Sequence, residues 1–259
     1  MKIFFNGDSH TSGSELKNPD VDTYCHVLTK LLGGTLMSNP SIGGGSNDRI
    51  LRTTEKFLYD CDNKKEYPDF VVIGWTETTR MDWFYNGRYR SLNSDDGLDP
   101  KTASSVNQER YSYSLRCISH DAGQPWIVRY QHEKMYNLHL ELEYRKIPHL
   151  FFNGVKSFPQ ALHASRPGND KLEERIIIDS YNYYFIRSFG TLLDIKKYDW
   201  NNSFWKPYDI DGCFLQWGLN KGYQPTEWNH HGVEAHYDFA NLLFQHIKDT
   251  NLLSCPSDN

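Results

Sequence analysis

No long apolar run interrupts this sequence. Its 259 residues are 38% hydrophobic, and none of its apolar stretches approaches the ~20 residues a membrane-spanning helix needs. The opening MKIFFNGDSH has one Lys and a short apolar run, well below the length of a secretory signal. A soluble, cytoplasmic chain with no membrane contact is the expectation. Cysteine is sparse: Cys25, Cys61, Cys117, Cys213 and Cys255 are scattered, odd in number and never spaced C-x-x-C. That pattern argues for free thiols and against a disulfide framework or a zinc site. Blocks of one charge are missing too. The formal net charge is -5 with acids and bases interspersed, so no footprint for nucleic acid is present. There are no internal repeats or low-complexity tracts, and nothing marks a boundary between two domains, so residues 1–259 are read as one domain. Aromatics are plentiful at 15%, with 17 Tyr and 7 Trp. Such rings supply core volume, and they also line sugar-binding and protein-binding surfaces.

The first third reads strand, helix, strand, helix, strand. Lys2 to Asn6 is a short apolar run that ends in Gly7-Asp8-Ser9, the pattern of a buried strand feeding a tight turn. Asp22 opens a helical spacing of Tyr24, Val27, Leu28, Leu31 and Leu32 that Gly33-Gly34 stops. Thr35 to Met37 follows as a strand, then a glycine loop, then a helix capped by Ser46 or Asn47 that runs through Cys61. Phe70 to Gly74 is a β-branched run of the kind buried on both faces of a parallel sheet. Right-handed crossovers place ligands at the carboxyl ends of such strands. Residues 75–102 read as a surface insertion carrying Trp83, Tyr85 and Tyr89, with a sugar platform and a simple lid as its two readings. Helices are expected near 103–120 and 125–145, a fourth strand at His149 to Gly154, a helix-like stretch at 172–185, and aromatic loops around Trp200, Trp205 and Trp217. A terminal amphipathic helix turns Val233, Phe239, Leu242, Leu243, Phe244 and Ile247 inward.

Ser9 stands where a hydroxyl can project above the sheet while turn N–H groups face the same space; its plain alternative is a helix or turn cap. A serine needs a base, and the base needs a third group to hold its tautomer. Glu227-Trp228-Asn229-His230 supplies a carboxylate and an imidazole just ahead of the terminal helix, with His231 adjacent as the other candidate base. His230, His231 and His236 fit no common metal-ligand spacing such as H-E-x-x-H, so neither a metal nor another cofactor is expected. Asp8 and Arg80 are read as braces, with contact to an anionic substrate as the alternative for Arg80.

Taken in order, four blocks resemble the SGNH/GDSL hydrolases. Gly7-Asp8-Ser9-His10-Thr11-Ser12-Gly13 is similar to the block G-D-S-x-x-x-G that carries the nucleophile. Asn39 to Asn47 (NPSIGGGSN) resembles the second block, which by this likeness gives Gly44 an oxyanion-holding N–H. Gly74-Trp75-Thr76-Glu77 falls where the family has G-x-N-D, so Thr76 replaces the oxyanion Asn, with Asn47 as a substitute donor. Glu227 to His236 resembles the closing D-x-x-H block, with Glu in place of Asp. The runs Gly44 to Arg49 and Trp75 to Arg80 are similar to an uncharacterised tailed-phage branch of the superfamily.

The resemblance implies a flavodoxin-like three-layer α/β/α sandwich with a central parallel sheet. It also implies a serine esterase working through an acyl-enzyme on Ser9, with His230 as base and Glu227 orienting it. The substrate expected is a small-molecule or glycan acyl ester, with a carbohydrate O-acetyl group or a related acyl ester as the specific expectation. The second reading is a catalytically weak or inactive glycan-binding, protein-binding or virion-associated module on the same fold. Oligomeric state and the natural substrate are open at this stage.

Overall fold

The computed structural model describes residues 1–78, 80–85, 88–92, 123–159 and 198–253. In chain order its strands are β1 (Lys2–Asn6), β2 (Thr35–Ser38), β3 (Phe70–Trp75), β4 (Met81–Tyr85), β5 (Arg88–Leu92) and β6 (His149–Asn153). The helices are α1 (Ser9–Ser12), α2 (Pro19–Asp22), α3 (Tyr24–Leu31), α4 (Asn47–Lys64), α5 (Gly123–Tyr144), α6 (Phe214–Asn220) and α7 (Val233–Asp249). Four strands form a parallel sheet in the order β2-β1-β3-β6. The first strand is thus flanked by the second and third, the flavodoxin-like winding, and its switch point lies between β1 and β3.

Side chains alternate along each strand, and the alternation divides the core in two. Phe4, Val71, Ile73, Trp75 and Phe151 face one cluster with Ile50 and Leu58 of α4 and Met135, Leu138 and Leu142 of α5. Ile3, Phe5, Phe70, Val72, Leu150 and Phe152 face the other, with Tyr24 and Leu28 of α3, Phe214 of α6 and Phe239 and Leu243 of α7. Helices therefore cover both faces, and the architecture is a three-layer α/β/α sandwich. Beyond β6 the chain runs alongside once more, through parallel bridges of Phe204 to Phe151 and Cys213 to Asn153.

Register brings the strand ends level. Asn6 lies beside Ile73, and Trp75 lies beside Asn153, so the turns after β1, β3 and β6 leave the sheet at one edge. Asn6 is wholly buried, and its Nδ2 reaches the Ile50 carbonyl at 2.9 Å and Thr54 Oγ1 at 2.9 Å, which ties the end of β1 to α4. Two glycines make room at this edge. A Cβ on Gly7 would lie 2.0 Å from Thr11 Oγ1, and one on Gly74 would lie 2.8 Å from both Thr11 Oγ1 and Phe152 Cζ.

Several sequence expectations are revised. Asp22 ends α2, and α3 instead starts after Thr23, because Pro19 begins a separate single turn. Ser46 is the cap of α4, its hydroxyl accepting from Arg49 N at 3.1 Å. Val233 is 39% exposed at the first position of α7, while Ala235 and His236 are buried. Trp217 lies in α6 rather than in a loop; Cys213 caps that helix through its sulfur, a role its residue type does not advertise. The insertion contributes the antiparallel β4–β5 pair. Asp82 of β4 accepts from Ser46 Oγ at 2.5 Å and pairs with Arg52, pinning the hairpin to α4. The expected helices near 103–120 and 172–185 lie outside the described residues.

The aromatic surplus also changes meaning. Trp75, Trp200 and Trp205 are buried. Around Trp200, Tyr136, Tyr198, Phe204 and His132 make ring contacts between 4.8 and 6.4 Å. Most described aromatics are core, and Trp228 is the tryptophan among them that stands out in solvent, at 71% exposed. Cys25, Cys61 and Cys213 are buried free thiols.

Candidate active site

Ser9 is the first residue of α1. Asp8 precedes it as the N-cap, with Oδ1 accepting from His10 N at 3.0 Å, and Gly13 closes the turn at φ +73°. Ser9 is 6% exposed, and its hydroxyl makes no hydrogen bond to a described residue. Neither does its own N–H. Both groups are left available at the sheet edge.

The tail of the chain returns to this turn. Thr226 N donates to the His230 carbonyl at 2.8 Å, Asn229 N donates to the Thr226 carbonyl at 3.0 Å, and Asn229 takes φ +60°. His230 N donates to Thr226 Oγ1 at 3.1 Å. This closed turn sets the His230 ring against that of His10, with centroids 5.1 Å apart and planes at 74°. His230 Nδ1 lies 2.5 Å from Oε2 of Glu15, and the same oxygen accepts from Thr226 Oγ1 at 2.5 Å. A carboxylate can only accept, so Nδ1 carries the proton and a neutral ring keeps its lone pair on Nε2. Nε2 meets no described partner.

Glu227, expected to orient this ring, sits at the tip of the Thr226–His230 turn. It is exposed and makes no hydrogen bond to a described residue. The turn points its two middle side chains, Glu227 and Trp228, outward. Glu15 went unnoticed in the sequence because nothing local marks it: it lies 215 residues from His230.

His231 and His236, the other imidazoles of this segment, are built into the fold. His231 is 1% exposed and donates from Nε2 to the Leu215 carbonyl at 2.9 Å. It packs so closely on α6 that a Cβ on Gly218 would lie 2.1 Å from Nε2. His236 stacks on Tyr24 at 5.9 Å and accepts from Tyr24 N at 3.3 Å. Burial lowers both pKa values, that of His236 to about 3. Burial likewise pushes His10 down to about 4, against the opposing pull of Asp8. The ring beside His230 is therefore neutral.

The expected oxyanion residues divide. Gly44 sits exposed in a left-handed turn at φ +68°, and its N–H makes no hydrogen bond to a described residue. Asn47 is 1% exposed, and its amide is engaged at both ends: Oδ1 accepts from Thr76 N at 2.9 Å and Nδ2 donates to Thr76 O at 3.2 Å. Thr76 is wholly buried, and its hydroxyl accepts from Arg80 Nη1 at 3.2 Å. Arg80 Nη1 also lies 4.0 Å from Asp8 Oδ2. Asn47, Thr76, Arg80 and Asp8 thus brace the turns after β1 and β3 against each other. Glu77 is tied to Lys156 beyond β6.

Solved structures similar to this chain include an esterase and a lipolytic protein of the G-D-S-L family. The chain is 14% identical to TesA, with 96% of this chain and 99% of that one covered at a TM-score of 0.49. It is 13% identical to the psychrotrophic esterase EstA from Pseudoalteromonas sp., covering 96% and 97% at a TM-score of 0.46. It is 12% identical to a lipolytic protein of the G-D-S-L family from Desulfitobacterium hafniense, covering 95% and 98% at a TM-score of 0.40. No family model and no curated protein matches the sequence. Likenesses of this degree say nothing of which residues react or on what.

The remaining grouping of metal-type ligands among the described residues is His139, Glu143 and His149, at the other end of the sheet. There His139 Nδ1 and His149 Nε2 are 2.7 Å apart, and His149 Nδ1 donates to the Ile147 carbonyl at 3.0 Å. His149 Nε2 must then accept from His139, so the two rings share a buried hydrogen bond, and His139 Nε2 is buried without a described partner.

Proposed function

We propose that the protein hydrolyses acyl esters through Ser9. The observation that carries this reading is His230: its ring packs on the residue after Ser9, with Nδ1 held by a carboxylate and Nε2 meeting no partner among the described residues. That is the arrangement a hydroxyl nucleophile requires of its base. Ser9 Oγ attacks the ester carbonyl as His230 Nε2 takes its proton. The Ser9 and Gly44 N–H groups hold the oxyanion. Collapse of the tetrahedral intermediate expels the alcohol, which takes the proton from His230, and a water activated by the same imidazole releases the acid from Ser9. Ser9→Ala in a protein of unchanged fold is expected to lower hydrolysis of p-nitrophenyl acetate by at least about a thousandfold. Equal rates for variant and parent would rule the mechanism out.

The ester we propose is an O-acetyl group on a carbohydrate. Trp228 supports this, since it stands exposed two residues before His230 and offers a flat ring at the rim. Tyr89, read from the sequence as part of a sugar platform with Trp83 and Tyr85, has the Arg52 guanidinium 3.8 Å from its centroid, so one face is covered. Acetate release from O-acetylated oligosaccharides, faster than from simple alkyl acetates and reduced by Trp228→Ala, tests the assignment.

One observation favours the second reading, a module of weak or no turnover. Thr76 is wholly buried and Asn47 is committed to its backbone, so neither stands ready as a third oxyanion donor, and such a loss costs about a hundredfold or more in rate. Saturable glycan binding with no acetate release would select that reading.

A further inference from the structure

We propose that Glu15, and not Glu227, is the positioning carboxylate of His230. The inference rests on the reading of His230 as the base, and it names a residue that none of the four sequence blocks contains. Three independent features converge on Glu15. Its Oε2 accepts from His230 Nδ1 and from Thr226 Oγ1, both at 2.5 Å, so one oxygen holds the ring and also the residue that begins the ring's own turn. Its backbone lies in the left-handed region at φ +68°, a conformation that disfavours any residue with a Cβ and persists where surrounding structure demands it. That demand is visible: Gly13 O accepts from Leu16 N at 3.1 Å and Ser9 O accepts from Ser14 N at 2.9 Å, so the turn carrying Glu15 is fastened to the turn carrying Ser9.

One short segment, Ser9 to Leu16, thus supplies the nucleophile and the group that fixes the tautomer of its base. The two hydrogen bonds also hold the Glu15 carboxyl below the ordinary carboxylate range, the one from Thr226 most of all, which keeps it an acceptor. Glu227, three residues before His230, is exposed and makes no hydrogen bond to a described residue.

The test compares Ser9→Ala, Glu15→Gln, Glu15→Asp and Glu227→Gln in the full chain on p-nitrophenyl acetate, with circular dichroism to check folding and proton NMR of the low-field imidazole region. Loss of the orienting carboxylate in serine triads lowers kcat by about 10⁴-fold. Glu15→Gln is expected to fall by that factor in kcat with KM little changed, Glu15→Asp to recover part of it, and Glu227→Gln to stay within about twofold of the parent. A low-field Nδ1–H resonance is expected in the parent and in Glu227→Gln and absent from Glu15→Gln. Loss of activity in Glu227→Gln, or an active Glu15→Gln, overturns the proposal. If Glu15→Gln does not fold, full activity of Glu227→Gln supports the proposal and its loss overturns it. An active Ser9→Ala would end the esterase reading instead, and the NMR comparison would still decide which carboxylate holds His230.

Discussion

Two histidine sites lie at opposite ends of the same sheet and differ in how completely the protein encloses the rings. At the amino end of β6, His139 and His149 bind each other and the chain, with His149 Nδ1 on the Ile147 carbonyl. Both are at most 1% exposed, and burial lowers both pKa values, that of His149 to about 3. At the carboxyl end, His230 is bound at one nitrogen only, by Glu15, while the other faces no described group. A histidine whose ring is enclosed by the protein holds the fold, even where one nitrogen, as His139 Nε2, is buried without a described partner. One whose Nδ1 is fixed and whose Nε2 is unengaged can exchange a proton with a bound molecule. His231, adjacent to His230 in sequence, belongs with the first kind: it is 1% exposed, with Nε2 on the Leu215 carbonyl and Nδ1 buried.

That contrast can be broken by substitution. The largest effect is expected from His230→Ala, which should lower ester hydrolysis at least about a thousandfold in a protein that remains folded. The complementary variant, His149→Leu, should leave the rate intact and lower stability by about 1–3 kcal/mol, because His139 loses its buried partner. Urea unfolding of both variants checks the pair of outcomes, and an inactive His149→Leu that remains folded would erase the distinction.

Acid probes the same difference. An unfolded imidazole titrates near 6.5, whereas burial holds His132, His149 and His236 at about 3 and His10 at about 4. These folded-state values are depressed, so the unfolded chain binds more protons below about 6.5 and stability declines as pH falls from there toward the folded values. Unfolding free energy is expected to drop between pH 7 and pH 5 by about 1–2 kcal/mol for each such histidine, and to drop less steeply in His149→Leu. A flat profile across that window would contradict the burial assigned to these rings. A smaller and more local effect is expected from Gly218→Ala. The added Cβ would lie 2.1 Å from His231 Nε2, costing about 1–3 kcal/mol by overpacking, with a melting temperature lowered by several degrees.

Much of the sandwich was legible in the sequence because its elements are local. Phe70 to Ile73 and Leu150 to Phe152 are continuous apolar runs, and α4 carries a serine cap and a helical spacing. The return of the tail to the opening turn was legible too, through the order of the blocks around Ser9 and His230. The rest depended on contacts that no local pattern encodes. Cys213 caps α6 through a sulfur, Asn47 is drawn from a donor role into bracing Thr76, and Glu15 meets His230 across 215 residues. Spacing alone favoured Glu227, since it ignores the direction in which a tight turn sends its side chains.

The most direct test of Ser9 as nucleophile and His230 as its base is covalent trapping. A fluorophosphonate ester added to the folded protein should attach to one residue with loss of fluoride, and peptide mass spectrometry should locate it on Ser9, with labelling abolished in His230→Ala. Labelling of a different residue, or undiminished labelling of Ser9 in His230→Ala, would contradict the account.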